Sequence, residues 1–364
     1  MKILCMAGDP GGARSLNPVI AELKQRDVEL LILGYRQGAA ILKELNLPVT
    51  VCNETLAQDA VSYLRQTKAD LLLTATSMNG QDFEKTFFQA AREAGIPSIA
   101  VLDFWSNYRG RFATQPADGP LDALPDHIAV MDSRAVEDMV ALGFPNDRLL
   151  ITGQPAYDEL FQAFDVPATR ARVRNALVVG ADDLLLIYAS QPFTEMTAET
   201  GIAPVPYDEM QCLQLLLNST QEANIWVRPH PRETAGKFQA LGDPRLIISS
   251  EFDRISAIHA SDGVTGMASN FLLEAALLGL PVLSLQPGQQ GTGPLPLVSL
   301  GLGEVVTDSD AAPAAITRWL TASRTPDPAR AAAARAAFRP GAAARVADIA
   351  IDKMSVGAAN HTHP

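Results

Sequence analysis

A short apolar run, a glycine or polar turn, and an amphipathic stretch of ten or more residues recur along the whole chain. That alternation predicts parallel strands joined by crossover helices. In the first half, strands are expected at 2–7, 29–33, 49–51, 71–74, 99–102 and 128–131, with helices at 16–26, 38–45, 83–94 and 134–142. Several of these strands are almost wholly apolar, the pattern expected where helices cover both faces of a sheet. A second series starts after Asp165-Val166-Pro167. It has strands at 184–188, 225–227, 246–248, 263–264, 282–285 and 305–306, and helices at 209–219, 254–260, 271–278 and 311–320. The expected fold class is therefore α/β, with two Rossmann-like doubly wound domains facing a cleft.

The chain, at 364 residues, exceeds the usual size of one core, which supports the division. The expected organisation is a first domain at 1–165, a second at 166–340, and a C-terminal helix and tail at 341–364. The Ala- and Arg-rich segment 329–350 reads as helical with a break at Pro340-Gly341; Phe338, Val346 and Ile349 give it a face to bury. The tail from Ser355 to Pro364 is expected to be disordered, and His361 and His363 receive no metal role.

Composition narrows the function classes. No apolar run approaches the ~20 residues needed to cross a bilayer. The start, Met1 to Ala7, lacks a charged leader region and is interrupted by Gly8-Asp9-Pro10-Gly11-Gly12, so it reads as a buried strand. Cys5, Cys52 and Cys212 show no CxxC or metal-ligand spacing, and a reduced, cytoplasmic compartment fits. A net charge of −12 argues against general nucleic-acid binding. It leaves room for a small anionic ligand met by a local cluster of donors.

Five loops carry the candidate chemistry. In an open α/β sheet, loops at the carboxyl ends of strands face the ligand crevice. The first is Gly8-Asp9-Pro10-Gly11-Gly12-Ala13-Arg14, where glycines let a backbone approach a ligand closely or simply build a tight turn. It is neither a GxGxxG fingerprint nor a P-loop. The second, Ile151-Thr152-Gly153-Gln154-Pro155-Ala156-Tyr157-Asp158, reads by itself as a connector. The third, Arg228-Pro229-His230-Pro231-Arg232, presents two guanidiniums and an imidazole suited to a pyrophosphate.

The fourth loop runs Thr265-Gly266-Met267-Ala268-Ser269-Asn270 into an apolar helix, where free amides and the helix dipole favour an anion. Ser269 or Asn270 can instead act as a plain N-cap. Glu274, inside that apolar helix, needs hydrogen-bond donors, and a ribose diol is one candidate. The fifth loop, Gln286 to Pro294, is either a lid or a surface loop.

Together the third and fourth motifs resemble the nucleotide-binding domain of GT-B glycosyltransferases. The run Glu274-Ala275-Ala276 with Gly279 and Pro281-Val282 looks like that superfamily's donor-site signature, in which the glutamate holds the ribose. His230-Pro231 is similar to the HP motif of bacterial capsule and surface-polysaccharide transferases, and Thr152 to Asp158 resembles a TGxPxxD stretch of the superfamily. Lipid A disaccharide synthase is a more distant likeness. The resemblance implies a metal-independent transferase with no cofactor, moving a sugar from a nucleotide-activated donor to a glycan, lipid or small-molecule acceptor. Peripheral membrane association stays open.

By the same resemblance, Arg228, His230, Arg232, Thr265, Gly266, Met267, Ser269, Asn270 and Glu274 would bind the donor. Gly8, Gly11, Gly12, Arg14 and Trp105 would lie on the acceptor side, Trp105 stacking on a sugar or packing at the domain interface. Asp103, or failing that Asp9, would be the general base.

Two alternatives remain. The non-hydrolysing UDP-GlcNAc 2-epimerases share the scaffold. Their Asp-Ser-Gly-Gly turn and paired glutamates are here Met267-Ala268-Ser269-Asn270 and Leu273-Glu274, and their His-Arg-x-Glu-Asn signature is not matched at Ala189-Ser190-Gln191-Pro192-Phe193. The other alternative is a non-catalytic nucleotide-sugar-binding protein.

Overall fold

The structure is a computed structural model and describes residues 1–77, 82–114, 119–195, 205–291, 293, 295–325 and 327–360. The chain forms two compact units, Met1–Glu159 with Phe338–Pro364, and Leu160–Ala337.

In the first unit the apolar runs become β1 (Lys2–Ala7), β2 (Glu29–Gly34), β3 (Val49–Val51), β4 (Leu71–Thr74), β5 (Ser98–Val101), β6 (His127–Val130) and β7 (Leu149–Ile151). They pair in parallel in the order β3-β2-β1-β4-β5-β6-β7. Every residue of β4 and β5 is buried, and β1 is buried from Ile3 onward. The register sets Ile3 against both Leu30 and Leu71. Because β1 hands on to β2 on one side while β4 pairs on its other side, the outgoing loops diverge between β1 and β4. A parallel sheet keeps its ligand crevice at such a switch.

The second unit repeats the plan with β8 (Leu185–Ala189), β9 (Asn224–Arg228), β10 (Leu246–Ile248), β11 (Gly263–Gly266), β12 (Val282–Leu285) and β13 (Glu304–Val306). Their order is β10-β9-β8-β11-β12-β13, all parallel, so the switch lies between β8 and β11. The helix Val166–Ala176 is tied to this sheet by buried Arg174. That guanidinium donates to the carbonyls of Ala260 and Asp183 and to Asp262 Oδ2 at 2.7–2.9 Å.

Each expected strand is present with ends within two residues. The short strand β7 and the helices Glu54–Gln58, Ala60–Thr67, Val166–Ala176 and Ala235–Gln239 lie outside the ranges named above. The first helix, expected from residue 16, begins at Pro10. Proline costs nothing at a first turn, whose N–H has no helical partner, so the glycine loop is itself partly helical.

The C-terminal segment differs most from its expected course as a separate piece. Helix Ala342–Asn360 packs on the first unit, where Ala343, Val346, Ala347, Ala350 and Met354 join Leu16, Val19, Ile20 and Leu23 of helix Pro10–Lys24 in one core. The backbone stays helical through 355–360, which was expected to be disordered; residues 361–364, with both tail histidines, lie outside the described residues. The loop at 151–158 explains the docking. Asp158 Oδ1 accepts the Gly341 and Ala342 N–H groups at 2.8 and 3.0 Å, and Oδ2 accepts that of Ala343 at 2.7 Å. Arg345 Nε donates to the Thr152 carbonyl at 2.8 Å. One carboxylate thus satisfies amides that a helix start leaves without partners, and its charge suits the dipole.

No helix of the described residues is long and apolar enough to cross a membrane. Replacing Asp158 with alanine should lower stability by about 2 kcal/mol in chemical denaturation. Hydrogen exchange should quicken across 342–354 in the same variant. Unchanged stability and exchange would show that helix packing alone holds the segment.

Candidate functional site

The crevice of the second unit is built at the carboxyl ends of β8, β9 and β11. After β8, Gln191 Oε1 accepts the Ala268 N–H at 2.7 Å, and Ser190 Oγ donates to Glu233 Oε1 at 2.9 Å. After β9, Glu233 Oε2 accepts the His230 N–H at 2.7 Å, which closes the Pro-His-Pro loop on itself. The Arg232 N–H donates to His230 Nδ1 at 3.2 Å, so the neutral imidazole carries its proton on Nε2. Burial, and then the neighbouring Arg232, push the His230 pKa down and favour that neutral donor.

Arg228 sits between the rings of Trp226 and Phe271, 5.3 and 5.5 Å from their centroids. Its Nη2 donates to the Phe252 carbonyl at 2.9 Å, while Nη1 is buried without a hydrogen-bond partner. Burial lowers its pKa, as removing a cation from water must. A buried guanidinium N–H with no partner costs free energy that an anionic ligand would recover.

After β11 the chain turns into helix Asn270–Leu277. Ser269 is the N-cap, its Oγ accepting the Phe271 N–H at 3.3 Å. Thr265, Gly266 and Met267 are buried. Thr265 Oγ1 donates to the Leu283 carbonyl, and Gly266 leaves no room for a Cβ beside the Ala189 carbonyl. The side chains of Thr265 and Met267 therefore serve the interior, and the half-buried rim begins at Ala268.

Glu274 is 7 % exposed and accepts from Arg254 Nε at 2.9 Å and Asn270 Nδ2 at 3.5 Å. Its donors are thus side chains of the protein, where the sequence pattern pointed to a ribose diol. Gly279 ends the helix at φ +89°, and a Cβ there would meet Ala331 of helix Pro328–Ala337. The helix-and-glycine signature is in part a packing signature.

Arg232 is exposed and is joined to the loop through its backbone. Among the described residues, the acidic side chains grouped closely enough to hold a metal ion are Glu195, Glu209 and Glu233. The Lys237 ammonium lies among all three. In the fifth loop, Gln286 is buried with Nε2 on Ser284 Oγ at 2.7 Å; Thr292 and Pro294 lie outside the described residues.

In the first unit, the switch between β1 and β4 gathers Gly8, Asp9, Thr76 and Asp103. The three loop glycines are required by contacts within the protein. A Cβ on Gly8 would collide with the Tyr35 ring, one on Gly11 with the Asp103 carboxylate, and one on Gly12 with Ala75. Asp103 Oδ1 accepts from Arg111 Nη1 at 2.5 Å, and Arg111 also donates to Thr76 Oγ1 at 2.7 Å. Asp9 pairs with Arg36 at 3.2 Å. Arg14 is exposed on helix Pro10–Lys24. Trp105 is 3 % exposed, donates from Nε1 to Asp132 Oδ2 at 2.9 Å and packs edge-on to Phe338. The ring is buried within this unit, which favours its packing role over sugar stacking; an aromatic ring of this size gains most by burial.

Glu84 was not among the expected site residues. It is fully buried beneath the Gly8 loop and accepts from the Gly8 N–H at 3.0 Å, Ser77 Oγ at 2.8 Å and the Tyr35 hydroxyl. Burial raises its pKa from 4.5 to about 7, against the lowering effect of Tyr35 and Ser77. Helical phase could have revealed it, since Glu84 shares a face with Phe87, Phe88 and Ala91. Arg111 and Arg254 were also missed, because their partners lie 8 and 20 residues away in other loops and elements.

A scan against protein-family models and a search of curated proteins find no match. Solved structures do resemble the chain. UDP-GlcNAc 2-epimerase from Neisseria meningitidis bound to UDP-GlcNAc aligns with TM-score 0.68 at 14% identity, over 96% of this chain and 99% of that one. MnaA of S. aureus, solved with UDP, aligns with TM-score 0.67 at 14% identity, over 95% and 94%. HepE of Anabaena, in complex with UDP and glucose, aligns with TM-score 0.62 at 17% identity, over 98% and 100%. At these identities the likeness is one of fold. Two parallel-sheet α/β domains of the GT-B-like Rossmann type are shared, and no particular transferase family is singled out.

The buried Glu84 makes a prediction of definite sign. Its folded pKa exceeds the unfolded one, so the folded state binds the extra proton between pH 4.5 and about 7. Stability should therefore fall as pH rises through that window, by at most about 3 kcal/mol. Glu84→Gln should remove that part of the slope in denaturation curves from pH 4.5 to 8. Parallel curves for the two proteins would contradict the assignment.

Proposed function

We propose that the chain is an enzyme acting on a UDP-sugar, with the nucleotide held on the second unit by Arg228, His230 and the first turn of helix Asn270–Leu277. The observation that carries this reading is the buried Arg228 Nη1, a cationic donor without a hydrogen-bond partner at the carboxyl end of a central strand. It lies against Phe271, at the start of a helix whose dipole favours negative charge. The neighbouring proteins solved with UDP or a UDP-sugar support the choice of nucleotide.

Isomerisation at carbon 2 of the sugar is placed ahead of transfer, reversing the order reached from sequence. The likeness to UDP-GlcNAc 2-epimerases over nearly the full length of both chains supports that order. Transfer remains the second reading on a specific observation. The position of the first of the epimerases' paired glutamates is Leu273, which is fully buried and offers no carboxylate. Either reaction moves a proton, from carbon 2 or from an acceptor hydroxyl. We assign that step to Asp103, whose carboxylate is oriented by Arg111, with Asp9 as the second candidate.

Proton NMR of UDP-GlcNAc incubated with the pure protein separates the two readings. Isomerisation predicts signals of the manno epimer without an acceptor. Their absence, together with sugar transfer once an acceptor is supplied, would select the second reading. Arg228→Ala should weaken UDP binding by ~1.5–3 kcal/mol in calorimetry. Equal affinity in parent and variant would remove the nucleotide assignment. Asp103→Asn should lower turnover by ~10²–10⁴-fold with UDP affinity nearly intact. Near-native turnover would move the proton-transfer role elsewhere.

A further inference from the structure

The proposed nucleotide site holds a contradiction that points to a further residue. Glu274 is the carboxylate expected to take a ribose diol, yet Arg254 Nε already occupies it at 2.9 Å. In an apolar helix this carboxylate needs donors of its own, and Arg254 and Asn270 supply them. The Arg254 side chain nevertheless remains 29 % exposed.

Arg254 is also placed beside the anchor cation of the site. Arg228 Nη2 holds the Phe252 carbonyl at 2.9 Å, two residues before Arg254, and the Arg228 guanidinium rests on Phe271. The segment Phe252-Asp253-Arg254 is fixed further by Asp253, whose Oδ1 caps helix Arg254–Ala260 through the Ser256 N–H at 2.8 Å. Two guanidiniums therefore touch the same turn of helix Asn270–Leu277, one at Phe271 and one at Glu274.

We propose that Arg254 exchanges partners when a nucleotide binds, leaving Glu274 for a phosphate of the ligand and so releasing the carboxylate to the ribose hydroxyls. The exchange rests on the nucleotide reading given above. It couples the two halves of the ligand. A phosphate repays the broken ion pair with a new charge-assisted bond, and the ribose then replaces the donor that Glu274 lost. A nucleoside without phosphate must break the ion pair with no anion to receive Arg254, so the resting pair selects against it. Arg254 thus determines specificity for a phosphorylated ligand.

Calorimetry of the full chain with UDP and with uridine tests this. In Arg254→Ala, UDP affinity should fall ~10-fold or more while uridine affinity stays level or rises. Arg254→Lys, which keeps the charge and spares Glu274 an unpaired burial, should retain UDP binding to within ~5-fold. Melting curves of both variants establish that they are folded, and the lysine variant carries the test if the alanine variant is not. Equal losses for UDP and uridine would show that Arg254 only holds Glu274 in place, and would overturn the exchange. Unchanged UDP affinity in Arg254→Ala would overturn it as well. Failure of the parent protein to bind UDP would overturn both this inference and the nucleotide reading. Binding by the parent with equal losses in the variant would overturn this one alone.

Discussion

A parallel sheet wound outward in two directions must part its loops between the two strands where the winding reverses. Everything proposed for this protein depends on that constraint. The first sheet parts between β1 and β4, and the second between β8 and β11. At those places backbone amides, helix starts and polar side chains gather beyond strands that are mostly apolar. The buried strands make the sheets rigid, and rigidity lets residues far apart in sequence meet with hydrogen-bond geometry. Gln191 and Ala268 meet across 77 residues in this way, and Gly8 and Glu84 across 76.

The two crevices use polarity differently. That of the second unit is organised around cations: half-buried Arg228 against two rings, Arg254 on Glu274, and Lys237 among three carboxylates. Its acidic groups are mostly engaged in holding those cations or the Pro-His-Pro loop. The crevice of the first unit is organised around carboxylates, with Asp9 on Arg36, Asp103 on Arg111, and Glu84 on three neutral donors. A net charge of −12 conceals this division, because local donors and not the overall field determine where a small anion can bind.

Most of the strand pattern was legible because runs such as Leu71 to Thr74 and Leu185 to Ala189 are too apolar and too short to be anything but buried strands. The helix containing Glu274 and the loop containing His230 were legible for the same reason, as breaks in that pattern. What escaped was tertiary. The glycines at 8, 11 and 12 invite a ligand on paper, yet Tyr35, Asp103 and Ala75 already fill the space beside them. Asp158 reads as a connector residue until the Ala342–Asn360 helix arrives, 184 residues on, to be capped by it. The pairing of Arg254 with Glu274 leaves no periodic trace, since it joins the first residue of one helix to the middle of another.

The central claim is that the carboxyl ends of β9 and β11 receive a uridine nucleotide. Hydrogen–deuterium exchange of the full chain, with and without saturating UDP, tests it without assuming a reaction. The account predicts protection at 228–233 and at 268–274, the two segments that carry Arg228, His230 and the capped helix start. Protection confined to other segments, or none at all under conditions where UDP is bound, would contradict it.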